Sequence, residues 1–314
     1  PSPDIMNKLA RSVLALYSYD ENPDDTSLEN VLRQCISIIA QIPVIMVYAY
    51  QVKRRHYYKK SMYIHPIKPE HTAAQAVLGS IRADKTFTDE EAKLLDTCLM
   101  VHAEHGGGNN STFATRVLTS SGTDTYSAIA AGIGALKGPK HGGANIKVAQ
   151  MVDFIRNDVA DINDEGQVAD YLRKIIQKEG GDRSGLIYGM GHAVYTISDP
   201  RAKILREQAG KFAAGTEFEE EFHLLNSIEK LTPAIFAEFK GERKNICANV
   251  DLYSGLVYKM LRIPPDLFTP IFTVARVAGW SAHRIEELLT GGRIIRPAYK
   301  NINTAGLYVP ITER

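Results

Sequence analysis

Helical periodicity runs through almost the whole of this 314-residue chain, and the alternating pattern of β-strands is nearly absent. Apolar residues recur three or four positions apart near the start of the chain, at Ile5, Leu9, Val13 and Leu16, which is the spacing of one helix face. A chain of this length can bury a sizeable core. The sequence therefore predicts an all-α fold, with no internal repeat and no low-complexity segment.

Capping residues and helix breakers predict where the helices begin and end. Thr88 and Asn249 are capping types, and Pro200 after Asp199 suits the first position of a helix. We predict a kink or break at Pro43 and an interruption at Pro233, because proline removes a helix hydrogen bond. The predicted helices cover residues 4–17, 28–50, 88–102, 125–136, 144–158, 164–178, 199 onward, 217–239, 249–261 and 264–291, and a short strand is predicted at 307–311.

Composition excludes several classes of protein. The formal net charge is +1, so no overall field attracts nucleic acid or an anionic membrane. Cys35, Cys98 and Cys247 are few and have no CxxC spacing, which argues against a disulfide framework and a structural zinc site. The apolar stretch 35–50 is too short and too interrupted to span a bilayer, and residues 1–3 do not resemble a signal peptide. We therefore expect a cytoplasmic protein.

Two histidine-bearing segments lie beside glycines. His102 and His105 flank a carboxylate just before the glycines at 106–108. A zinc site, a helix end without function and a substrate contact all remain open there, although the histidines are three apart rather than the four of a zincin helix. His141 lies in the glycine-rich run 138–143 ahead of a helix, where a neutral imidazole can act as an electrophile towards a carbonyl oxygen.

Four further side chains suggest a site for a polycarboxylate. His192 follows a Gly-x-Gly segment. Arg201 lies in a first helical turn, where a cation opposes the helix dipole unless a substrate anion or a local acid pairs with it. Asp251 also begins a helix, where acids are common. Arg276 lies among apolar residues and is predicted to be buried, so it needs an anionic partner. Together these residues predict an enzyme that binds a polycarboxylate and performs acid–base chemistry.

At this point the ordered blocks of the chain resemble the citrate synthase family, including the 2-methylcitrate synthases. The blocks are His102–His105, Gly138–Asn145, Gly189–Tyr195 with Asp199–Arg201, Asn249–Gly255, Ala275–Trp280 and Ile295–Pro297. The resemblance implies an all-α homodimer in which a large helical domain, here 1–141 and 249–314, carries a smaller inserted domain, here 142–248. It also implies the reaction that opens the tricarboxylic acid cycle: acetyl-CoA condenses with oxaloacetate, and hydrolysis of citryl-CoA releases citrate and CoA.

The same resemblance implies catalytic roles for three residues. Asp251 is similar to the base that removes a proton from the acetyl methyl group, and His141 to the residue that bonds the thioester oxygen as the enol forms. His192 is similar to the residue that polarises the ketone of oxaloacetate and protonates the new alkoxide. The implied reaction needs no metal and no tightly bound cofactor, because the coenzyme A thioester is a substrate.

Four more residues are implied to bind substrate. His105, Arg201 and Arg276 are similar to oxaloacetate ligands, the two arginines as carboxylate clamps. Arg296 is similar to a clamp that the other subunit supplies. The resemblance therefore implies that only a homodimer has complete sites.

The chain departs from the family in its cations near coenzyme A. Some relatives carry an arginine at the positions of Ala193 or Thr196, so we expect other cations, such as Lys203, Arg243 and Lys244, to meet the CoA phosphates. The run 194–201 is closer to 2-methylcitrate synthases, which leaves propionyl-CoA open as the acyl donor.

The chain also begins at a point that matches the interior of family members. We therefore expect it to lack an N-terminal segment of the large domain. An inactive chain that only dimerises or binds CoA, and a zinc hydrolase built on His102 and His105, remain as alternatives.

Overall fold

The computed structural model describes residues 1–192, 195, 197–240, 246–300, 302, 306 and 308–313. Within these residues the protein is built from α-helices joined by loops and short 3₁₀ turns, and no strand is present beyond an isolated bridge. The predicted all-α class is therefore confirmed. The helices are α1 (Ile5–Leu16), α2 (Leu28–His56), α3 (Ala73–Ile81), α4 (Asp89–His102), α5 (Asn110–Ser120), α6 (Thr125–Leu136), α7 (Ala144–Asp158), α8 (Glu165–Ile176), α9 (Pro200–Ala213), α10 (Glu219–Lys240), α11 (Asp251–Met260) and α12 (Phe268–Leu289).

Local capping chemistry sets most helix starts. The Thr88 hydroxyl accepts the Glu91 amide while the Glu91 side chain accepts the Thr88 amide, which satisfies two amides that a helix start otherwise leaves free. Asp164 and Asp199 cap α8 and α9 from one side only, because their carboxylates accept amides of the first helical turn. The sequence did not predict α3 or α5, because α3 is only nine residues long and α5 is rich in Ser and Thr, which favour caps and turns.

Three local predictions are wrong in the described residues. Helix α2 continues through Pro43, so the break expected there is wrong, whereas a kink stays a prediction. Helix α10 continues through Pro233 without the predicted interruption. An interior proline costs about 3 kcal/mol, and burial of neighbours such as Ile42 and Met46 in α2 offsets that cost. Residues 308–310 form no strand and residues 311–313 form a 3₁₀ turn, while Leu307 lies outside the described residues.

Two helices organise the interior. Helix α12 packs against α2, α4, α5 and α6 and is buried along most of its length, including Trp280 and Arg276. Helix α11 packs mainly against α7 and α9 and also meets α4. Because α11 and α12 lie deep in the protein, the polar residues that they carry are held in surroundings with little water.

Helix α2 is long and apolar enough to cross a membrane by length and composition, and it is the one helix in the described ranges that passes this test. Half of its most apolar window is nevertheless buried inside the protein. Core helices of globular proteins pass the same test, so the apolar character of α2 does not by itself assign a membrane.

Candidate active site

A short backbone pairing brings two predicted site segments together. Met190 and Ala248 form an antiparallel bridge. The Gly191 amide donates to the Cys247 carbonyl at 2.8 Å, and the Asn249 amide donates to the Gly189 carbonyl at 2.9 Å. The bridge therefore aligns the segment that leads to His192 with the segment that leads to Asp251.

Gly189 is required for this pairing. Its φ is +81°, and a Cβ there would lie 2.9 Å from the Cα of Leu252. Side-chain-bearing residues rarely adopt such a φ, and backbone this close cannot move aside. A larger residue would therefore push the two segments apart.

Asp251 is the first residue of α11. The Asn249 side chain accepts the Asp251 amide at 3.0 Å, whereas no described hydrogen bond reaches the Asp251 carboxyl group. Burial raises the pKa of Asp251 to about 6, and the charges of Arg201 and Arg276 only partly oppose this. The carboxylate is thus a stronger base than an ordinary aspartate and is free to accept a proton.

His141 lies in the tight turn between α6 and α7. A Cβ on the adjacent Gly142 would lie 2.2 Å from the Leu136 carbonyl oxygen, so only glycine allows the turn. The His141 Nε2 atom lies 2.9 Å from the Ser111 hydroxyl. Burial, assisted by the charge of Arg276, lowers the pKa of His141 to about 4, so the ring is neutral at neutral pH.

The Ser111 hydroxyl determines which nitrogen of His141 carries the proton. Trp280 Nε1 donates to it at 3.2 Å, and it donates to the Asn109 side-chain oxygen at 2.9 Å. The two ends of an amide are interchangeable in shape. While Ser111 donates to Asn109, it can only accept from His141, whose proton then lies on Nε2. When the Asn109 amide is turned to present its NH₂ group, Ser111 donates to His141 Nε2 instead and the proton of His141 lies on Nδ1.

Three aromatic rings form a second cluster. The centroids of His105 and His192 are 4.9 Å apart, and those of His192 and Tyr195 are 4.6 Å apart. The Tyr195 amide donates to His192 Nδ1 at 2.9 Å, so a neutral His192 carries its proton on Nε2. Burial, followed by the charges of Arg201 and His192, lowers the pKa of His105 to about 4. Burial also lowers the pKa of His192.

Arg201 joins this cluster and pairs with a local acid. Its guanidinium makes two hydrogen bonds to the buried Asp199 carboxylate, at 3.0 and 2.8 Å. Burial would raise the pKa of Asp199, but the hydrogen bonds and charge of Arg201 outweigh burial and lower it. One Arg201 nitrogen also lies 3.3 Å from His192 Nε2. Arg201 is therefore held rigidly beside His192.

Arg276 is fully buried, and its charge is not neutralised by any described hydrogen bond. Its Nε donates to the His102 carbonyl at 2.7 Å, and its guanidinium carbon lies 4.8 Å from the centre of the Phe272 ring. Neither Nη1 nor Nη2 has a hydrogen-bond partner among the described residues. Burial lowers the pKa of Arg276 to about 10, so the group stays charged at neutral pH. A buried cation with two free parallel donors matches a carboxylate.

Arg296 lies apart from the other six predicted residues. It is exposed in the loop after α12, and no described hydrogen bond or ion pair joins it to them. The preceding residue, Ile295, donates its amide to the Ser120 hydroxyl at 3.0 Å. This contact holds the start of the loop against the end of α5.

The structure also places residues that the sequence reasoning missed or left open. Ser111 lies just after the glycines at 106–108, near the start of α5, but a serine near the start of a helix carries no signal of its own. The His102 Nδ1 atom lies 2.7 Å from the Cys98 carbonyl inside α4. The described residues include no group of three or more potential metal ligands. Lys203 is exposed on α9, whereas Ala193, Thr196, Arg243 and Lys244 lie outside the described residues.

Comparisons with known proteins identify the family to which the chain is similar. A family model described as citrate synthase, C-terminal domain, matches residues 1–298. The chain is 42% identical over 224 residues to a citrate synthase from Synechocystis sp., an alignment covering 71% of this chain and 52% of that protein. It is 32% identical to 2-methylcitrate synthase 1 from Corynebacterium glutamicum, over 98% of this chain and 75% of that protein. The chain thus spans about half the length of the Synechocystis enzyme in that alignment.

The fold is shared as well. A citrate synthase from Thermoplasma acidophilum, solved as a ternary complex with carboxymethyl coenzyme A and oxaloacetate, superposes with a TM-score of 0.78 at 29% identity. The match covers 99% of this chain and 76% of that one. Because the family model covers nearly the whole chain and the fold agrees, the chain belongs to the citrate synthase family.

Proposed function

We propose that this chain catalyses the condensation of acetyl-CoA with oxaloacetate and the hydrolysis of the citryl-CoA that forms. The observation that carries the proposal is Arg276, a fully buried arginine with two guanidinium nitrogens that no described group satisfies. Leaving a buried charge unpaired is costly, so a bound carboxylate is the expected partner. The Thermoplasma acidophilum relative holds oxaloacetate and carboxymethyl coenzyme A, which supports both substrate classes.

Oxaloacetate would bind between Arg276 and the aromatic cluster. Arg276 would clamp one carboxylate, while Arg201 and His105 would contact the other end. His192 Nε2–H would then point at the ketone oxygen, because its Nδ1 already accepts the Tyr195 amide. This donor polarises the ketone and can deliver a proton to the alkoxide that forms there.

Asp251 and His141 would generate the nucleophile. Asp251 takes a proton from the acetyl methyl group. His141 donates a hydrogen bond to the thioester oxygen as the enol forms, and its Nδ1 carries the proton for this when the Asn109 NH₂ group faces Ser111. The enol carbon attacks the ketone carbon of oxaloacetate, and His192 gives its proton to the resulting alkoxide. Water then cleaves the thioester of citryl-CoA, which releases citrate and CoA.

We further propose that residues 142–248 form the smaller domain on the CoA side, as the family resemblance implies. Helices α8 and α10 in this range pack together. A cavity of about 200 Å³ lies beside His192 and is lined by Met190, Thr232 and Phe236 among others. Its mixed apolar and polar walls suit part of a CoA chain, and exposed Lys203 on α9 is a candidate for the phosphates.

Propionyl-CoA is the second candidate acyl donor, because the relatives include a 2-methylcitrate synthase at 32% identity. One methylene changes selectivity by only about 1–3 kcal/mol. The test is thiol release on mixing the protein with oxaloacetate and either acetyl-CoA or propionyl-CoA, with His141→Ala in parallel. We expect oxaloacetate-dependent release that His141→Ala abolishes, and the ratio of kcat/KM values identifies the acyl donor. A folded chain that releases no thiol from either substrate would instead be a dimerisation or CoA-binding remnant.

We also propose that the protein is a homodimer whose sites share Arg296. Helix α2 exposes an apolar stripe at Leu32, Ile36 and Ile39, with 49%, 59% and 37% of each residue accessible. Contiguous exposed apolar residues are typical of protein interfaces, and a two-fold dimer buries the same stripe on both subunits. Arg296 itself is exposed, and within the described part of the chain no hydrogen bond or ion pair holds its guanidinium, as expected of a side chain that serves the other subunit.

Mixing two inactive variants tests the shared site. Asp251→Asn and Arg296→Ala should each be inactive alone. In a mixed dimer, one site combines an intact Asp251 with an intact Arg296 from the neighbouring subunit. Random exchange of subunits should therefore restore about a quarter of the parent activity. If Arg296 acts within its own subunit, or plays no part, the mixture will show no more activity than the average of the separate variants.

A further inference from the structure

We propose that His283 is a positioning residue that fixes the loop carrying His105, the oxaloacetate-side histidine, through a hydrogen bond to Glu104. The inference deepens the proposed function and depends on it for its kinetic consequence. His283 lies in α12, and Glu104 lies in the loop between α4 and α5. The His283 Nε2 atom is 3.0 Å from Glu104 Oε1. This side-chain contact joins the buried helix to that loop, together with the hydrogen bond from the Gly279 amide to the Ala103 carbonyl at 3.1 Å.

Glu104 is held on more than one side. Its carboxylate accepts the backbone amide of Gly106 and also interacts with that of His105. Its Oε2 occupies the space above Gly279, where a Cβ would lie 2.4 Å away. Burial would raise the pKa of Glu104, but the hydrogen bonds from His283 and the backbone outweigh it and lower the pKa. The group is therefore an ionised acceptor at neutral pH.

The groups around His283 determine how its protonation affects this contact. On the other side of the ring, Nδ1 lies 3.1 Å from Arg116 Nη1 and 3.2 Å from Glu286 Oε2. Arg116 is itself bound to Glu286 and, at 2.8 Å, to Glu287. A neutral His283 accepts from Arg116 at Nδ1, and a protonated one donates to Glu286 there.

In both protonation states the Nε2–H bond of His283 points to Glu104, since a carboxylate can only accept. The link is thus insensitive to the charge of the ring. The link requires a hydrogen-bond donor at the position of Nε2. A variant that keeps this donor and one that loses it therefore distinguish positioning of the loop from packing of the side chain.

The loop fixed in this way serves both halves of the site. It carries His105, whose ring contacts His192, and it ends at Asn109, which contacts Ser111 beneath His141. Small errors of placement are costly in a preorganised site. The loop supplies His105 directly to the oxaloacetate side, whereas it reaches His141 only through Asn109 and Ser111. Loosening the loop should therefore weaken oxaloacetate binding more than acyl-CoA binding.

The matched variants are His283→Gln and His283→Asn. The amide nitrogen of glutamine reaches the place of Nε2 and can donate to Glu104, whereas that of asparagine reaches only the place of Nδ1. We expect His283→Asn to raise the KM for oxaloacetate about tenfold, the size of one lost charge-assisted hydrogen bond. The KM for acyl-CoA should stay within about twofold, and His283→Gln should resemble the parent. His223→Asn, in an exposed histidine that lies 3.9 Å from Glu219, is the control.

Amide hydrogen exchange of residues 103–109 tests the link without reference to turnover. His283→Asn should lose protection there, and His283→Gln should keep it. Equal exchange or equal KM values in the two variants would overturn the proposal. If the parent neither binds nor turns over oxaloacetate, the proposed function fails, while the exchange data still decide whether His283 holds the loop.

Discussion

Replacement of Asp251 by asparagine is expected to lower kcat for acetyl-CoA and oxaloacetate about a thousandfold while making the protein more resistant to heat. Removal of a general base costs roughly a hundred- to ten-thousandfold, and asparagine cannot accept the methyl proton. The KM for oxaloacetate should change little, because its carboxylates would be held by the arginines. Thiol release measures the loss of activity, and thermal unfolding measures the gain in stability.

The direction of the stability change follows from the raised pKa of Asp251. Burial raises this pKa to about 6 from its ordinary value of 3.8, so the folded state holds the proton more tightly than the unfolded chain. Ionisation of Asp251 therefore costs stability as pH rises from about 4 to about 6, and the cost persists above that range. The asparagine variant should melt above the parent at pH 8, and the difference should shrink at pH 5.

The same pKa predicts the pH profile of the parent. Because Asp251 acts as a base only when ionised, kcat/KM should fall as pH drops below about 6. Asp164→Asn is the control, since asparagine caps α8 as well as aspartate does, and it should change neither activity nor profile. Retention of more than about a tenth of the parent kcat in Asp251→Asn would exclude Asp251 as the base.

Replacement of Arg276 by methionine should weaken oxaloacetate binding at least a hundredfold without lowering thermal stability. Two charge-assisted hydrogen bonds to a carboxylate are together worth about 3 kcal/mol or more, and this corresponds to about two powers of ten in affinity. Removing an unpaired buried charge also relieves the folded state of a desolvation cost. Titration calorimetry with oxaloacetate measures the loss of binding, and the Tm of the ligand-free protein measures the thermal stability.

Arg284 provides a matched control on the same helix. It is equally buried, but its donors are satisfied by Thr125, Thr119 and the carbonyl of Thr123, at 3.1, 3.2 and 2.9 Å. Arg284→Met should leave those oxygens without their donor and lower Tm, yet change oxaloacetate affinity little. If the two variants behave alike, Arg276 is a structural residue and not a carboxylate clamp.

The helical class and most helix boundaries could be predicted from the sequence because they depend on local chemistry. Caps such as Thr88 and Asp199 satisfy amides within a few residues of themselves, and helix periodicity is visible in any single segment. The continuity of α2 through Pro43 was not predictable. It depends on how much of the helix is buried against neighbours distant in the chain.

The candidate site, like the fold, could be predicted only in part from the sequence. The chemical types and order of the residues resemble those of the family, and this resemblance indicated His141, His192, Asp251 and Arg276 before any coordinates. Only the tertiary structure decided that Arg276 lacks a protein partner whereas Arg201 has Asp199. A sequence shows that an arginine is present, but not which carboxylates or carbonyls the fold brings within 3 Å of it.

The sequence by itself therefore determined the fold class, the family and the residues that can react. Only the tertiary structure decided the raised pKa of Asp251, the tautomer-setting contact between Ser111 and His141, and the link between His283 and Glu104. Each of these depends on burial or on a pair of atoms from segments far apart in the chain. A local sequence pattern contains no information about burial or about contacts between distant segments. Desolvation and hydrogen-bond geometry arise only after the helices have packed.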